Sequence, residues 1–246
     1  MDGLAMTDDA FGPLAPVRLA DGVLAALSQA ILDGRLKPGE SLPSEATLAA
    51  RFGVSKQVVR EAVRQLAALG AVQIGQGRAT RVVEMTDAQP LARFWRFAVG
   101  STREGLAEAV ELRRILEPQV ARLAALHATA DGVARLRDAL KRMEAALGDV
   151  PAWIPADLDF HEQLGRMSGN RLVRLQVQGL RPVLEEVLRH FNSAQRSKAD
   201  WQRTLARHRR VADAVAARDA DAAFAAMLEH FKAADARLTQ LFPRGG

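Results

Sequence analysis

Hydrophobic positions recur along this chain mostly at helical spacing, and the breaks between runs mark out its elements. Val17 to Asp33 carries Ala20, Val23, Leu24, Leu27 and Ile31 on one stripe, and Gly34 ends it. Leu36-Lys37-Pro38-Gly39 reads as a loop. Two short helices follow, joined by a tight turn at Gly53. Ser44 can cap the first and Ser55 the second, each hydroxyl accepting from an orphan backbone N–H one turn on. In the second helix Val59, Ala62, Val63, Leu66 and Leu69 share one side. Gln57, Arg60, Glu61 and Arg64 fall opposite, with Lys56 at the N-terminal edge. The period then changes from helix to strand. Ala71-Val72-Gln73-Ile74 alternates, Gly75-Gln76-Gly77 is a turn, and residues 78–83 read as the return strand.

Beyond Val83 a linker runs to Pro90, followed by a short helix from Leu91 to Val99. Its Phe94, Trp95 and Phe97 are expected to pack between domains. From Thr102 onward the pattern is helical throughout, with helices near 103–127, 131–147, 155–168, 170–192, 200–217 and 220–241. Pro182 is expected to kink the fourth of these. The chain should therefore be mostly α. A winged helix–turn–helix domain (17–84) precedes a linker with a short helix (85–101) and an all-helical antiparallel bundle (102–241).

Composition narrows the choice of function. The 246 residues suffice for two domains. There is no Cys, which excludes disulfides and thiolate metal sites and fits a reducing cytosol. No stretch is apolar enough to span a bilayer. The first sixteen residues lack the basic and apolar regions of a signal sequence and read as a disordered lead-in. From Val17 to Val83 there are nine Lys/Arg against five Asp/Glu, a surplus of four out of the chain's net +5. Positive charge gathered on the first domain suits a nucleic-acid module.

The second helix of the pair has the residues for reading a major groove. Arg and Lys pair with guanine and Gln with adenine. An ordinary surface helix also carries charges outside, but a helix–turn–helix followed by a hairpin is more specific. The hairpin would place Gln76, Arg78 and Arg81 against backbone or minor groove. This segment resembles the winged-helix domain of the GntR family of bacterial transcription regulators. The resemblance rests on Gly34, Pro38-Gly39, Leu42-Pro43-Ser44-Glu45, Leu48-Ala49, Val54-Ser55, Val59-Arg60-Glu61-Ala62, Leu66, Gly70, Gly77 and Val82. It implies contacts to double-stranded operator DNA from Ser44, Ser55, Lys56, Gln57, Arg60, Arg64, Gln76, Gly77 and Arg78. Two departures stand out. Lys56 replaces the usual Arg and loses its fork, and Ala46 stands where a basic residue is common.

In the bundle, three histidines lie on apolar stripes of three helices. His161 runs with Leu158 and Leu164, His208 with Leu205, Val211 and Val215, and His230 with Phe224, Met227 and Phe231. Asp157 is one turn before His161 and can share an ion with it. One carboxylate and three imidazoles suit Zn²⁺, Ni²⁺ or Mn²⁺ with positions left open. Each His alone could be a satisfied core residue, and His127 and His190, which lack this support, are read as structural or surface residues. This region resembles the FCD effector domain of the FadR-type branch. The matching residues are the Glu111–Pro118 run, Asp157, Phe160-His161, Ser168-Gly169-Asn170, His208, and Ala212 through His230. The resemblance implies a homodimer and a bundle of six or seven helices. It also implies a metal held by Asp157, His161, His208 and His230, and a small organic-acid effector near Arg113 and Asn170. Arg113 could instead be an ordinary i,i+4 partner of Glu117. Arg218 stands where the family often has Gly.

These features lead to a DNA-binding transcription regulator, expected to be a cytosolic repressor controlled by a metal-bound carboxylate, and not an enzyme. Two alternatives use the same site: a regulator for which the metal is itself the signal, and a metal-dependent hydrolase.

Overall fold

A computed structural model describes residues 19–75, 78–193 and 197–241. The lead-in at 1–16, Gln76, Gly77 and the side chain of His190 lie outside the described residues. The chain divides into two compact units, Met1–Met85 and Thr86–Gly246.

The first unit contains α1 (Leu19–Leu32), α2 (Glu45–Phe52) and α3 (Lys56–Ala68), then β1 (Val72–Gln73) and β2 (Arg81–Val82). Both expected caps are present. Ser44 accepts from Thr47 N at 3.1 Å, and Ser55 accepts from Val58 N at 3.3 Å. Gly53 closes α2 at φ 65, a left-handed conformation that costs glycine nothing. Val23 and Leu27 of α1 pack with Leu48 of α2, Val59, Val63 and Leu66 of α3, and Val72 and Val82 of the strands. Leu69 departs from expectation. It is the C-cap of α3 and is 55% exposed, because the helix ends before the stripe reaches it.

The strands pair antiparallel, Val72 with Val82 and Gln73 with Arg81. They are shorter than the alternation suggested. The other edge of β2 is also occupied. Gly39 N donates to Val82 O at 2.8 Å, Val82 N to Glu40 O at 2.9 Å and Leu42 N to Thr80 O at 2.8 Å. The segment before α2 thus pairs alongside the hairpin and gives β2 neighbours on both sides.

The second unit contains α4 (Gln89–Val99), α5 (Arg103–Leu126), α6 (Ala130–Ala145), α7 (Val150–Met167), α8 (Arg171–Gly179), α9 (Arg181–Ser193), α10 (Lys198–Ala216) and α11 (Ala220–Leu241). Helix α4 is part of this unit rather than a linker and packs on α5, α8 and α9. Trp95 is partly buried against the core there, whereas Phe94 and Phe97 are 57% and 90% exposed. The expected helix at 170–192 is two helices. Leu180 caps α8, and Pro182 falls in the first turn of α9, where its missing N–H leaves nothing unpaired. Helix α7 begins five residues earlier than expected. Asp149 caps it by accepting from Ala152 N at 3.1 Å, and Pro151 occupies its first turn.

Helix α5 contacts α4, α7, α9, α10 and α11. Ala121, Ala124 and Ala125 on α5 and Ala223 on α11 are fully buried. Small side chains at these positions let neighbouring backbones approach closely, and larger ones, Phe160, Leu136, Met143 and Met227, fill the spaces between. Against this core α5, α7 and α10 present buried polar groups, and α11 adds the partly buried His230.

Candidate nucleic-acid interface and metal centre

Helix α3 turns Lys56, Gln57, Arg60 and Arg64 outward, and all four are exposed, as are Ser44, Ser55 and Arg78. Arg60 is not free. Its Nε and Nη2 donate to the two carboxylate oxygens of Glu45 on α2, at 3.2 and 2.7 Å. Hydrogen bonding from Arg60 holds the Glu45 carboxyl below its ordinary range, with smaller contributions from the charges of Arg64 and Lys56. This fork links the two helices of the motif across their outer face. Arg81, expected to face nucleic acid, donates to Gly39 O at 2.9 Å and so fastens the edge segment.

The bundle brings together most of the residues singled out there. Nitrogens of His161, His208 and His230 lie within 4.8 Å of one another, from α7, α10 and α11. A tetrahedral ion with bonds of about 2.1 Å sets its ligands about 3.4 Å apart, so a modest closure of these side chains would complete a site. Asp157 Oδ1 lies 3.2 Å from His208 Nε2, and Oδ2 lies 4.0 Å from His161 Nε2. His161 Nε2, His208 Nε2 and His230 Nδ1 are buried and make no hydrogen bond.

Proton positions follow from the partners. His208 Nδ1 lies 2.9 Å from Thr204 O, a backbone carbonyl that can only accept. The hydrogen is therefore on Nδ1, and in the neutral ring the lone pair of Nε2 faces the Asp157 carboxylate. Two acceptors so placed need a proton or a cation between them. The two further imidazole nitrogens nearby make a metal cation the better fit. Burial, above all, pushes His161 and His230 below the ordinary imidazole range and keeps them as neutral ligands.

Glu117 on α5 completes the arrangement. One of its oxygens accepts from Arg113 Nε and the other abuts His161 Nδ1. Burial alone would raise this carboxyl, but Arg113 foremost and then His161 hold it at about 2. Asp157 is likewise held at about 2, against burial, chiefly where a proton on the His208 ring faces it, the place a cation would take. The i,i+4 pair of Arg113 and Glu117 therefore exists, but both side chains are buried, unlike a surface pair. Arg113 sits over the Phe231 ring at 5.5 Å, and its buried Nη2 has no hydrogen-bond partner. Sequence reasoning missed Glu117 as part of the site. Its signal was a carboxylate on the inward stripe of α5, one turn after Arg113 and one turn before Ala121.

Asn170 is not brought into this cluster. It is exposed and caps α8, accepting from Leu172 N at 2.9 Å and Val173 N at 3.3 Å. His127 also stands apart. Its Nδ1 lies 3.2 Å from Leu123 O.

No helix among the described residues is long and apolar enough to cross a membrane. Residues 19–82 match the gntR family of bacterial regulatory proteins, and residues 108–233 match the FCD domain. The chain is 36% identical over 205 residues to the HTH-type transcriptional regulator LutR of Bacillus subtilis, covering 81% of this chain and 92% of LutR. It is 32% identical over 238 residues to the HTH-type transcriptional repressor NanR of Klebsiella aerogenes, covering 91% and 86%. Among solved structures, GntR of Streptococcus agalactiae superposes with a TM-score of 0.63 at 26% identity, covering 89% of this chain and 98% of that one. These relatives are transcription regulators and not enzymes. With a matching domain at each end and full-length relatives of the same kind, the chain belongs to the GntR family of bacterial transcription regulators and carries an FCD domain.

Proposed function

We propose that this regulator is a homodimeric, cytosolic repressor whose affinity for its operator is set by a small carboxylate bound at a metal site of Asp157, His161, His208 and His230. The observation that carries this reading is the cluster of three imidazoles, each with a buried nitrogen that has no hydrogen-bond partner, with the Asp157 carboxylate beside those of His161 and His208. A bound Zn²⁺, Ni²⁺ or Mn²⁺ supplies positive charge and open positions for an acid. Arg113 supports the same ligand class, because its unbonded Nη2 is a fixed donor of the kind that carboxylates accept from. The effector contact implied at Asn170 is not carried forward, since that side chain caps a helix.

At the other end, Lys56, Gln57, Arg60 and Arg64 read base edges in the major groove. Ser44 and Ser55 stand at helix N-termini, where phosphates are favoured. Arg78, with Gln76 and Gly77, meets backbone or minor groove as a wing. Two copies in a dimer read two half-sites. The acid acts by binding one dimer geometry better than another, so that its differential affinity sets the fraction able to hold DNA. Repression accords with the name borne by NanR.

The test is thermal unfolding of the purified protein against a panel of hydroxy acids, sugar acids and dicarboxylates, before and after chelation. An acid at ~100 times its dissociation constant adds about 2.7 kcal/mol of stability. Stabilisation by one class of acid, lost on chelation and restored by Zn²⁺, is the expected result. Stabilisation by metal with no response to any acid would leave the ion as the signal and overturn acid control.

A further inference from the structure

We infer that Glu117 is a positioning residue that joins the metal ligand His161 to Arg113, so that the imidazole and the effector-facing arginine are held as one unit. This rests on the metal reading above and adds a residue that the reading does not require.

The geometry is specific. Glu117 stands on α5 one turn beyond Arg113, and each of its oxygens serves a different element. One takes Arg113 Nε on the same helix, and the other meets His161 Nδ1 on α7. All three residues are buried, at 4% exposure for Glu117, 6% for Arg113 and 3% for His161. A carboxylate at Nδ1 can only accept, which fixes the ring hydrogen there and leaves Nε2 with its lone pair toward Asp157 and the other imidazoles. His208 receives the same service from the carbonyl of Thr204. The two anchors differ in kind, because a carbonyl orients the ring whereas a carboxylate also makes it a stronger donor to metal.

The other half of Glu117 acts on Arg113. It occupies Nε and leaves Nη2 as the buried nitrogen without a partner. Arg113 also packs over Phe231, but its polar link to the imidazole of His161 runs through Glu117. Substituting either end of the bridge should therefore be felt at the other.

The test uses the full chain and Co²⁺, whose visible absorption reports its ligand geometry. Wild type, Glu117→Gln, Arg113→Lys and His208→Ala are titrated with Co²⁺ in competition with a chromophoric chelator. His208→Ala controls for the site itself. If it binds Co²⁺ as wild type does, the metal reading fails and the role of Glu117 falls with it. With that control losing its ion, Glu117→Gln is expected to weaken Co²⁺ about 10- to 100-fold and to alter the visible spectrum. Retention of wild-type affinity and spectrum by Glu117→Gln overturns the inference. Should this variant fail to fold, Arg113→Lys reads the bridge from its far end. A changed spectrum of bound Co²⁺ supports the bridge, and a spectrum that superimposes on wild type overturns it.

Discussion

Arg60 holds Glu45 on the outer face of the first unit, and Arg113 holds Glu117 inside the second. Written as chemistry, the two pairs are identical. Their side chains are 46% and 37% exposed in the first case and 7% and 6% in the second. The exposed fork can open at little cost, because water and salt solvate both partners once they separate. Arg60 can thus give up Glu45 for a guanine or a phosphate. The buried pair has no such exchange available. Neither charge tolerates the loss of its partner in that interior, so Arg113 and Glu117 behave as a fixed part of the fold. Proximity of opposite charges says little until burial is known. One pair is suited to letting go and the other to holding position.

The sharpest way to break this contrast is to remove one partner from each pair. Glu117→Ala leaves a buried guanidinium uncompensated and should cost the metal-free protein about 3–5 kcal/mol, read by urea unfolding. Glu45→Ala should leave the unfolding midpoint where it is. Equal losses in the two variants would contradict the distinction drawn from exposure.

Arg60→Ala should lower operator affinity about tenfold to a hundredfold, measured by fluorescence anisotropy, with thermal stability unchanged. A fall in stability alongside binding would mean that the fork to Glu45 is structural after all.

Acid should act on the second unit in two stages. His161 and His230 are depressed below 6.5 in the folded state, so the unfolded chain takes up protons first as pH falls through 6.5, and stability declines. Glu117 and Asp157 ionise at about 2 when folded, against ordinary values of 4.5 and 3.8. The stability they contribute is present above those ordinary values and is lost as pH falls toward about 2. Unfolding of the chelator-treated protein across this range should show both declines. A bound metal should resist the first until protons displace it from the imidazoles.

The smallest effect belongs to a third arginine that is in neither pair. Arg218 adopts φ 58, and its Nη2 donates to Ala128 O at 2.5 Å. That backbone is one that glycine adopts without strain, in keeping with the glycine that the family resemblance leads one to expect here. Arg218→Gly relieves strain while losing the hydrogen bond, and should stay within about 1 kcal/mol of wild type. Arg218→Ala keeps the strain, loses the bond and should be the less stable of the two. The reverse order would show that the bond matters little.

How much of this was legible in the sequence depends on the range of the interactions. Ser44, Gly53 and Ser55 mark the limits of α2 and α3 by local chemistry, and the stripe of Val59, Ala62, Val63 and Leu66 identifies the inner face. The three histidines were visible for the same reason, as polar groups at core-facing positions. The pairing of residues 39–42 with β2 was not visible. It depends on backbone groups meeting a strand some forty residues away, and its side chains show no alternation. Prolines misled in both directions. Pro182 reads as a kink, and the helix expected from 155 starts beyond Pro151, yet each proline occupies the first turn of a helix. Glu117 was hidden because an i,i+4 partner explained it too readily. Only the approach of α7 adds His161 to its contacts.

The polar cluster of the second unit comes from α5, α7, α10 and α11, and its residues run from Arg113 to His230. Such a site exists only after the polypeptide has been synthesised as far as His230 and its helices have assembled. A metal captured there would be held by the finished tertiary arrangement, and its binding energy would be added to that of folding. Newly made chains in a metal-starved cell would spend longer partly open and exposed to proteases. The abundance of the regulator, and not only its grip on DNA, would then follow the supply of the ion.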